Sequence, residues 1–344
     1  MDFSSDTSAP AHPKVLDALI HANFGTAASY GADSETAELE TRLKTLFETD
    51  DLAVWPVASG TASNALALAC FCPPTGAILC HREAHIERDE RGAPEFFTHG
   101  GKLRLMSGAD GKIAPDTLAA ELSGMDPDFV HETPPAVLSL TNLTECGTVY
   151  TIAEVSELAR IAHASGLSVH LDGARFANAL ATLGATPAEM SWQAGVDVLS
   201  FGLTKTGAIG CELILLFGSA AARVGELKVR AKRAGHMPAK LRYVTAQANA
   251  MLEDGLWLEL AAHANRQAAR LAEGLSAVPG AKLRHPVQGN EIFVDLPGPT
   301  AHAMSLAGAK YYPWPEGGYR FVCSWTTPDD AVDRLLSVLK EAGL

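Results

Sequence analysis

Basic residues are scarce in this chain. Its 344 residues include 27 Lys and Arg against 40 Asp and Glu, a formal charge of −13. A nucleic-acid or anionic-membrane surface needs concentrated positive charge, so neither partner is expected. Cysteine is sparse and unpatterned. Cys70, Cys72, Cys80, Cys146, Cys211 and Cys323 have no metal-ligand spacing, so no metal site is expected. They read as reduced thiols of a cytoplasmic protein. Long apolar runs are also missing, and none approaches the roughly 20 residues that cross a bilayer. The opening MDFSSDTSAPAHP is polar and lacks the apolar region of a secretory signal. No internal repeat or low-complexity segment is visible. What remains is an ordinary globular composition, 47% hydrophobic and 19% charged, long enough for two domains sharing an extensive core.

Short apolar runs alternate with longer amphipathic segments. The strand-like runs are GAILC (76–80), AVLSLT (136–141), SVHLD (168–172), VDVLSF (196–201) and ELILLF (212–217). Several are apolar throughout, as expected for strands buried on both faces. In 151–165, Ile152, Val155, Leu158, Ala159 and Ala162 form one apolar helical stripe, and Gly166 marks its stop. This alternation predicts an α/β layer on a mostly parallel sheet. Ligands of such sheets sit beyond the carboxyl ends of the strands, which directs attention to Asp172 and to the residues after Phe201. From about 246 the pattern changes. A long Ala-rich helical stretch (249–275) leads to strand-like EIFVDL (291–296) and YRFVCSW (319–325), then to a final helix. The expected division is an N-terminal segment (1–45), a large domain (46–245) and a small α+β domain (246–344).

Four features carry chemistry. Lys205 follows an apolar strand by four residues and is flanked by Thr204, Thr206 and Gly207. A lysine at a strand end facing a cleft can act as a nucleophile or form a Schiff base; the plainer reading is a surface loop lysine. Asp172 ends another strand, with Arg175 three residues on. A rigid carboxylate there can hold a pyridine nitrogen protonated; alternatively it caps the next turn. Ser59, Gly60 and Thr61 precede an Ala/Leu-rich helix, where backbone N–H groups and two hydroxyls suit a phosphate or simply an N-cap. His85 lies just beyond the GAILC strand, where an imidazole could stack on a cofactor ring, relay protons or serve structure alone. In the adjoining charged cluster, Glu90 is the weaker candidate.

These segments occur in the order seen in threonine aldolases: SSDT (4–7), Tyr30-Gly31, LE (39–40), SGT (59–61), His85, HLDGAR (170–175) and LSFGLTKTGAIG (199–210). The chain resembles the low-specificity L-threonine aldolases over about residues 3–325. GAPEFF and SFGLTKTG bring it closest to the phenylserine aldolase-like branch. The resemblance implies an aspartate-aminotransferase-like, fold type I enzyme with a mostly parallel seven-stranded sheet in its large domain. It implies pyridoxal 5'-phosphate as cofactor and a homodimer or homotetramer as the active form. Lys205 would then be the Schiff-base lysine and Asp172 the pyridinium partner, with His85 over the ring. Ser59, Gly60 and Thr61 would take the phosphate. Ser5, Arg175 and Arg320 would clamp the substrate carboxylate, for which a guanidinium fork is suited. Tyr30 would belong to the substrate site. The basic segment 228–240 matches a region that completes the site across a subunit interface, or is a solvated helix face.

One departure stands out. Where the family carries a histidine that touches the substrate β-hydroxyl, this chain has Thr144, in Asn142-Leu143-Thr144-Glu145. Thr144 is therefore expected beside the substrate Cβ, with looser discrimination there. The implied reaction cleaves L-threonine, L-allo-threonine, phenylserine and related β-hydroxy-α-amino acids to glycine and an aldehyde, with His85 or a water it holds as the base. The same lysine and aspartate also serve transamination and β-elimination, and a catalytically inactive scaffold is the alternative of another class.

Overall fold

The computed structural model describes residues 1–126 and 129–341. Helices α1 (Pro13–Ala22) and α2 (Ser34–Leu46) precede strand β1 (Leu52–Val57). Then come α3 (Gly60–Phe71), β2 (Ala77–His81), α4 (His85–Arg88), α5 (Ala93–Phe97), β3 (Lys102–Met106), α6 (Pro115–Ser123), β4 (Pro135–Thr141), α7 (Ile152–Ala164), β5 (Ser168–Gly173), α8 (Phe176–Leu183), β6 (Val198–Gly202) and β7 (Glu212–Phe217). These strands form one seven-stranded sheet in the order β1-β7-β6-β5-β4-β2-β3. Strand β7 runs antiparallel to both of its neighbours, and the other pairings are parallel. The architecture is α/β, as the sequence predicts.

The central strands β2, β6 and β7 are buried along their whole lengths. Helices cover both faces, so there is no polar alternation to satisfy. The helix predicted over 151–165 forms for the stated reason: Val155, Leu158, Ala159 and Ala162 are its buried face. A reciprocal cap holds its start, with Thr151 accepting from Glu154 N–H while Glu154 accepts from the Thr151 backbone.

Two strands escape the sequence pattern, β1 and β3. Both are edges of the sheet. An edge tolerates Pro56 in β1, and the charges Lys102 and Arg104 in β3, because one side of each strand needs no partner. Those same residues hide the strands from a reading based on apolar runs.

Helices α9 (Val224–Arg233), α10 (Arg242–Leu252), α11 (Leu256–Ser276), α12 (Gly298–Leu306) and α13 (Asp329–Glu341) follow, with β8 (Lys282–Leu283), β9 (Glu291–Asp295), β10 (Tyr312–Pro313) and β11 (Tyr319–Val322). The single long helix predicted over 249–275 is two helices. The chain breaks at Glu253–Gly255, where Asp254 and Gly255 take φ of 52° and 70°. Left-handed backbone cannot continue a right-handed helix. The four short strands form an antiparallel sheet in the order β10-β11-β9-β8. It has its own apolar core, built on Leu271, Leu275, Ile292, Val294, Phe321 and Leu335. Phe3 from the chain start is fully buried in that core, and its N–H bonds Lys310 O at 2.8 Å.

Candidate active site

The parallel strands bring their carboxyl ends to one edge of the sheet. Thr141, Asp172 and Ser200 stand in register across β4, β5 and β6. Beyond this edge lies a cavity of about 220 Å³, walled by the start of α3, the β2–α4 connection, the turn after β4, the end of β5 and the turn after β6. Ser59, Gly60, Thr61, His85, Asp172, Arg175 and Lys205 all line it. Sequence positions 59 to 205 thus meet at the place where open α/β sheets bind ligands.

Lys205 sits on a single helical turn, Thr204–Thr206, between β6 and β7. Gly207 lets the chain reverse there with a φ of 132°, a conformation closed to other residues. Its carbonyl accepts from His12 N–H at 2.8 Å. Lys205 is half-buried, and among the described residues no carboxylate lies within 4 Å of its ammonium. A cation kept off its acids in a cleft is open to covalent chemistry.

Asp172 is buried and already oriented. Ala174 N–H donates to Oδ1 at 3.0 Å, and Asn64 Nδ2 donates to Oδ2 at 2.7 Å. The bland reading of Asp172 as a turn cap is therefore half right: one oxygen caps, while the residue still lines the cavity. Asn64 also donates to Glu90 Oε1 at 2.9 Å, and Glu90 Oε1 meets His85 Nδ1 at 2.8 Å. A hydrogen-bonded chain thus joins His85, Glu90, Asn64 and Asp172. The bond to Glu90 raises the His85 pKa above its ordinary value against the opposing effect of burial. Glu90, the one residue of the charged cluster kept as a weak candidate, is a buried anchor of this chain. Asn64 went unread, although it is a lone amide inside the apolar run of α3, one turn from Gly60.

Two further glutamates wall the cavity, Glu212 buried and Glu145 half-buried. Glu212 opens β7, where burial pushes its carboxyl up to about 7, with the charge of Asp172 adding. Glu145 follows the turn after β4, and burial and Asp172 raise it likewise to about 7. An acid heading an otherwise apolar strand was the visible signal for Glu212. Glu145 carried none.

At the other end, Ser59 caps α3 and accepts from Ala62 N–H at 3.3 Å. Gly60 has nothing within 4 Å of where a Cβ would stand, so a ligand can approach the backbone closely. Helix α3 is 12 residues long, and its first N–H groups point at this opening.

Arg175 reaches the cavity with its guanidinium engaged. Nε and Nη2 donate to Asp6 at 2.7 and 3.1 Å, and Nη1 pairs with Glu291 at 3.1 Å. Burial works against the Asp6 carboxylate, but the charges of Arg175 and Lys205 and the hydrogen bonds from Arg175 and Asn290 together outweigh it and hold that pKa down to about 2. The remaining sequence candidates lie outside the cavity wall. Ser5 caps the short turn Asp6–Ser8, and it is Thr7 of that turn that lines the cavity. Arg320 stacks over Tyr312 and Trp314 and reaches Ser4 O at 3.4 Å, while its buried Nε has no partner. Tyr30 is half-exposed beside the basic segment, with Lys232 4.3 Å from its ring centre.

Thr144 is displaced from its expected position. It is fully buried in the turn itself, where its Oγ1 pairs with Thr148 Oγ1 at 2.8 Å and accepts from the N–H groups of Cys146 and Thr148 at 3.3 and 3.2 Å. Leu143, one residue earlier, lines the cavity instead. Thr144→Val should therefore cost about 1–3 kcal/mol of stability, because it leaves buried N–H donors unpaired. The ratio of L-threonine to L-allo-threonine turnover should stay within about threefold of wild type. Melting curves and paired assays check both; a larger change in ratio would return Thr144 to the substrate.

Residues 2–297 match the model of the beta-eliminating lyase family. The chain belongs to that family. A low-specificity L-threonine aldolase of Pseudomonas aeruginosa is 42% identical to it, over 97% of this chain and 95% of the relative. The solved threonine aldolase of Leishmania major superposes with a TM-score of 0.91 at 29% identity, covering 99% and 98% of the two chains. An aspartate aminotransferase of Rhodobacter sphaeroides shares the fold alone, with a TM-score of 0.72 at 19% identity and coverage of 99% and 93%. The chain thus has the expected aspartate-aminotransferase-like, fold type I architecture.

Such lyases depend on pyridoxal 5'-phosphate, and the residues around the cavity fit it. The wall presents an unpaired amine, a fixed buried carboxylate and an open helix N-terminus, matching the aldehyde, ring nitrogen and phosphate of that group. Asn64 Oδ1 and Glu90 Oε2, buried without partners beside Asp172 and His85, are further polar atoms awaiting a ligand.

Proposed function

We propose that this protein is a pyridoxal-phosphate-dependent carbon–carbon lyase that cleaves L-threonine, L-allo-threonine and related β-hydroxy-α-amino acids, phenylserine among them, to glycine and an aldehyde. The observation that carries this reading is the convergence of an unpaired Lys205 and a doubly anchored Asp172 on one cavity, in a chain so close in sequence to a threonine aldolase. When bound, the cofactor supplies an electron sink for a bond broken at the substrate Cα. Lys205 would hold the cofactor aldehyde, and Asp172 would keep the ring nitrogen protonated. Ser59, Gly60 and Thr61 would take the phosphate at the start of α3. His85, its ring direction set by Glu90, would face the ring.

The substrate carboxylate is assigned to Arg175, Arg320 and Ser5. Arg175 has both edges in use, so it contributes field and shape. Arg320 has the spare donor. Tyr30 and the segment 228–240 are assigned to a site completed by a second copy of the chain. Leu16, Ile20 and Phe24, exposed at four-residue spacing along and just past α1, support such a contact. The six buried free cysteines support a reducing, cytoplasmic setting. No described helix is long and apolar enough to cross a membrane.

The test is incubation of the cofactor-loaded protein with L-threonine, L-allo-threonine and phenylserine. Glycine and aldehyde should form in equal amounts, and the protein should sediment as a dimer or tetramer. Release of ammonia with a keto acid would indicate β-elimination, and a keto acid with the aminated cofactor would indicate transamination. Either result, or no turnover, overturns the reading.

A further inference from the structure

Glu145 stands in the wall between two cavities. One is the site above. The other, of about 370 Å³, lies between the large sheet and the small one and is lined by His81, Asp110, Arg284 and Trp314 among others. The carboxyl group is fixed by one oxygen only. Oε1 accepts from His85 N–H at 2.7 Å and from Thr141 Oγ1 at 3.0 Å. Oε2 is buried and has no hydrogen-bond partner. A buried acceptor left without a donor is costly, so its retention beside a reaction cavity calls for a ligand or proton to meet it. Thr141 and the His85 backbone tie Glu145, in the turn after β4, to the carboxyl end of β4 and to the first residue of α4.

Most of the other ionisable groups of the cavity are already committed, Lys205 and Glu212 apart. Asp172 is held by Asn64 and Ala174, His85 by Glu90, and Arg175 by Asp6 and Glu291. Glu145 keeps one oxygen without a hydrogen bond among the described residues, and its side chain lines both cavities. We propose that Glu145 is the catalytic group that takes the proton from the substrate β-hydroxyl, an inference that rests on the aldolase reading above. The O–H bond breaks, its proton passes to Oε2, and its electron pair becomes the new π bond of the aldehyde. The Cα–Cβ bond breaks with its pair retained on Cα, and a second proton, from solvent, completes glycine. The proton on Glu145 then leaves to water, so atoms and charge balance without another reactant.

The ionisation of Glu145 suits the task. Burial and the neighbouring Asp172 carboxylate place its pKa at about 7, so it can accept and release a proton near neutrality. The ionisable groups that share the two cavities with it are Asp172, Arg175, Lys205, Glu212, Glu90 and His85 on the first, and His81, Arg82, Glu83, Arg88, Asp89, Asp110, Arg284, His285 and Glu316 on the second. Of these, His85 and Glu212 are the rival bases, since the pKa of each is also raised.

Glu145→Gln separates the possibilities. The amide oxygen can still accept from His85 N–H and Thr141, so folding and cofactor affinity, read by melting and by titration with free cofactor, should match wild type. The kcat for L-threonine should fall on the order of 100-fold or more with little change in KM. The rising limb of its pH profile near 7 should vanish, whereas His85→Asn, though slower, should keep that limb. Exchange of the glycine α-proton with solvent in D₂O, followed by NMR, needs no β-hydroxyl base and should persist in Glu145→Gln. Near-normal turnover, a retained limb, or loss of glycine exchange would each overturn the assignment. If wild type exchanges the glycine proton but fails to cleave threonine, the aldolase reading falls instead, independently of Glu145.

Discussion

Replacing Lys205 with alanine should abolish covalent attachment of the cofactor and slow L-threonine cleavage on the order of 10⁴-fold. Only a primary amine can condense with the cofactor aldehyde, and among the described residues no other lysine lines the cavity. The fold should survive. Lys205 is half-buried and makes no ion pair among the described residues, so its removal leaves no charge stranded. Borohydride reduction followed by mass mapping is the direct check. Wild type should carry the cofactor on the peptide containing Lys205, and the variant should carry none. An adduct of equal yield in the variant, with normal turnover, would remove Lys205 from its role and with it the central chemistry.

Asp172→Asn should cost on the order of 10²–10³-fold in kcat while cofactor still binds. Two effects act together. A neutral side chain no longer favours a protonated ring nitrogen, so the cofactor is a weaker electron sink. The amide also fits its supports poorly. Ala174 N–H and Asn64 Nδ2 both donate to the native carboxylate, one to each oxygen. An asparagine offers one oxygen and one nitrogen, so either flip sets an N–H against a donor. That mismatch should lower stability by about 1–3 kcal/mol. Turnover, cofactor titration and melting, measured on one preparation, separate the chemical loss from the structural one. Turnover near wild type would show that Asp172 is not the ring-nitrogen partner.

The frame of the large domain was legible because it depends on local pattern. Runs such as ELILLF and VDVLSF are mostly apolar since both faces of the sheet are covered, and each became a strand. The pattern failed where that premise fails. Strands β1 and β3 are edges, and their Pro56, Lys102 and Arg104 would be out of place in the centre. The break at Asp254–Gly255 escapes the pattern because the apolar stripe resumes beyond it, whereas the backbone turns left-handed for two residues.

The site divides the same way. Lys205 and Asp172 were readable from their places at strand ends, because the sheet's topology sends all such ends to one edge. Which other side chains arrive there depends on contacts between distant segments. Arg175 finds Asp6 across 169 residues, and Asn64 finds Asp172 across 108. Neither pairing has a local signature. The turn after β4 shows the limit most sharply. A one-residue difference in direction turns Thr144 into the turn's own hydrogen bonds, sets Leu143 in the cavity wall and brings Glu145 to its edge. The sequence by itself determined the mostly parallel α/β sheet and placed Lys205 and Asp172 beyond and at strand ends, because apolar periodicity and position relative to strand ends are properties of short segments. Only the tertiary structure decided the direction of each side chain in the turns and the partners of each buried charge, because those follow from packing between segments far apart in the chain.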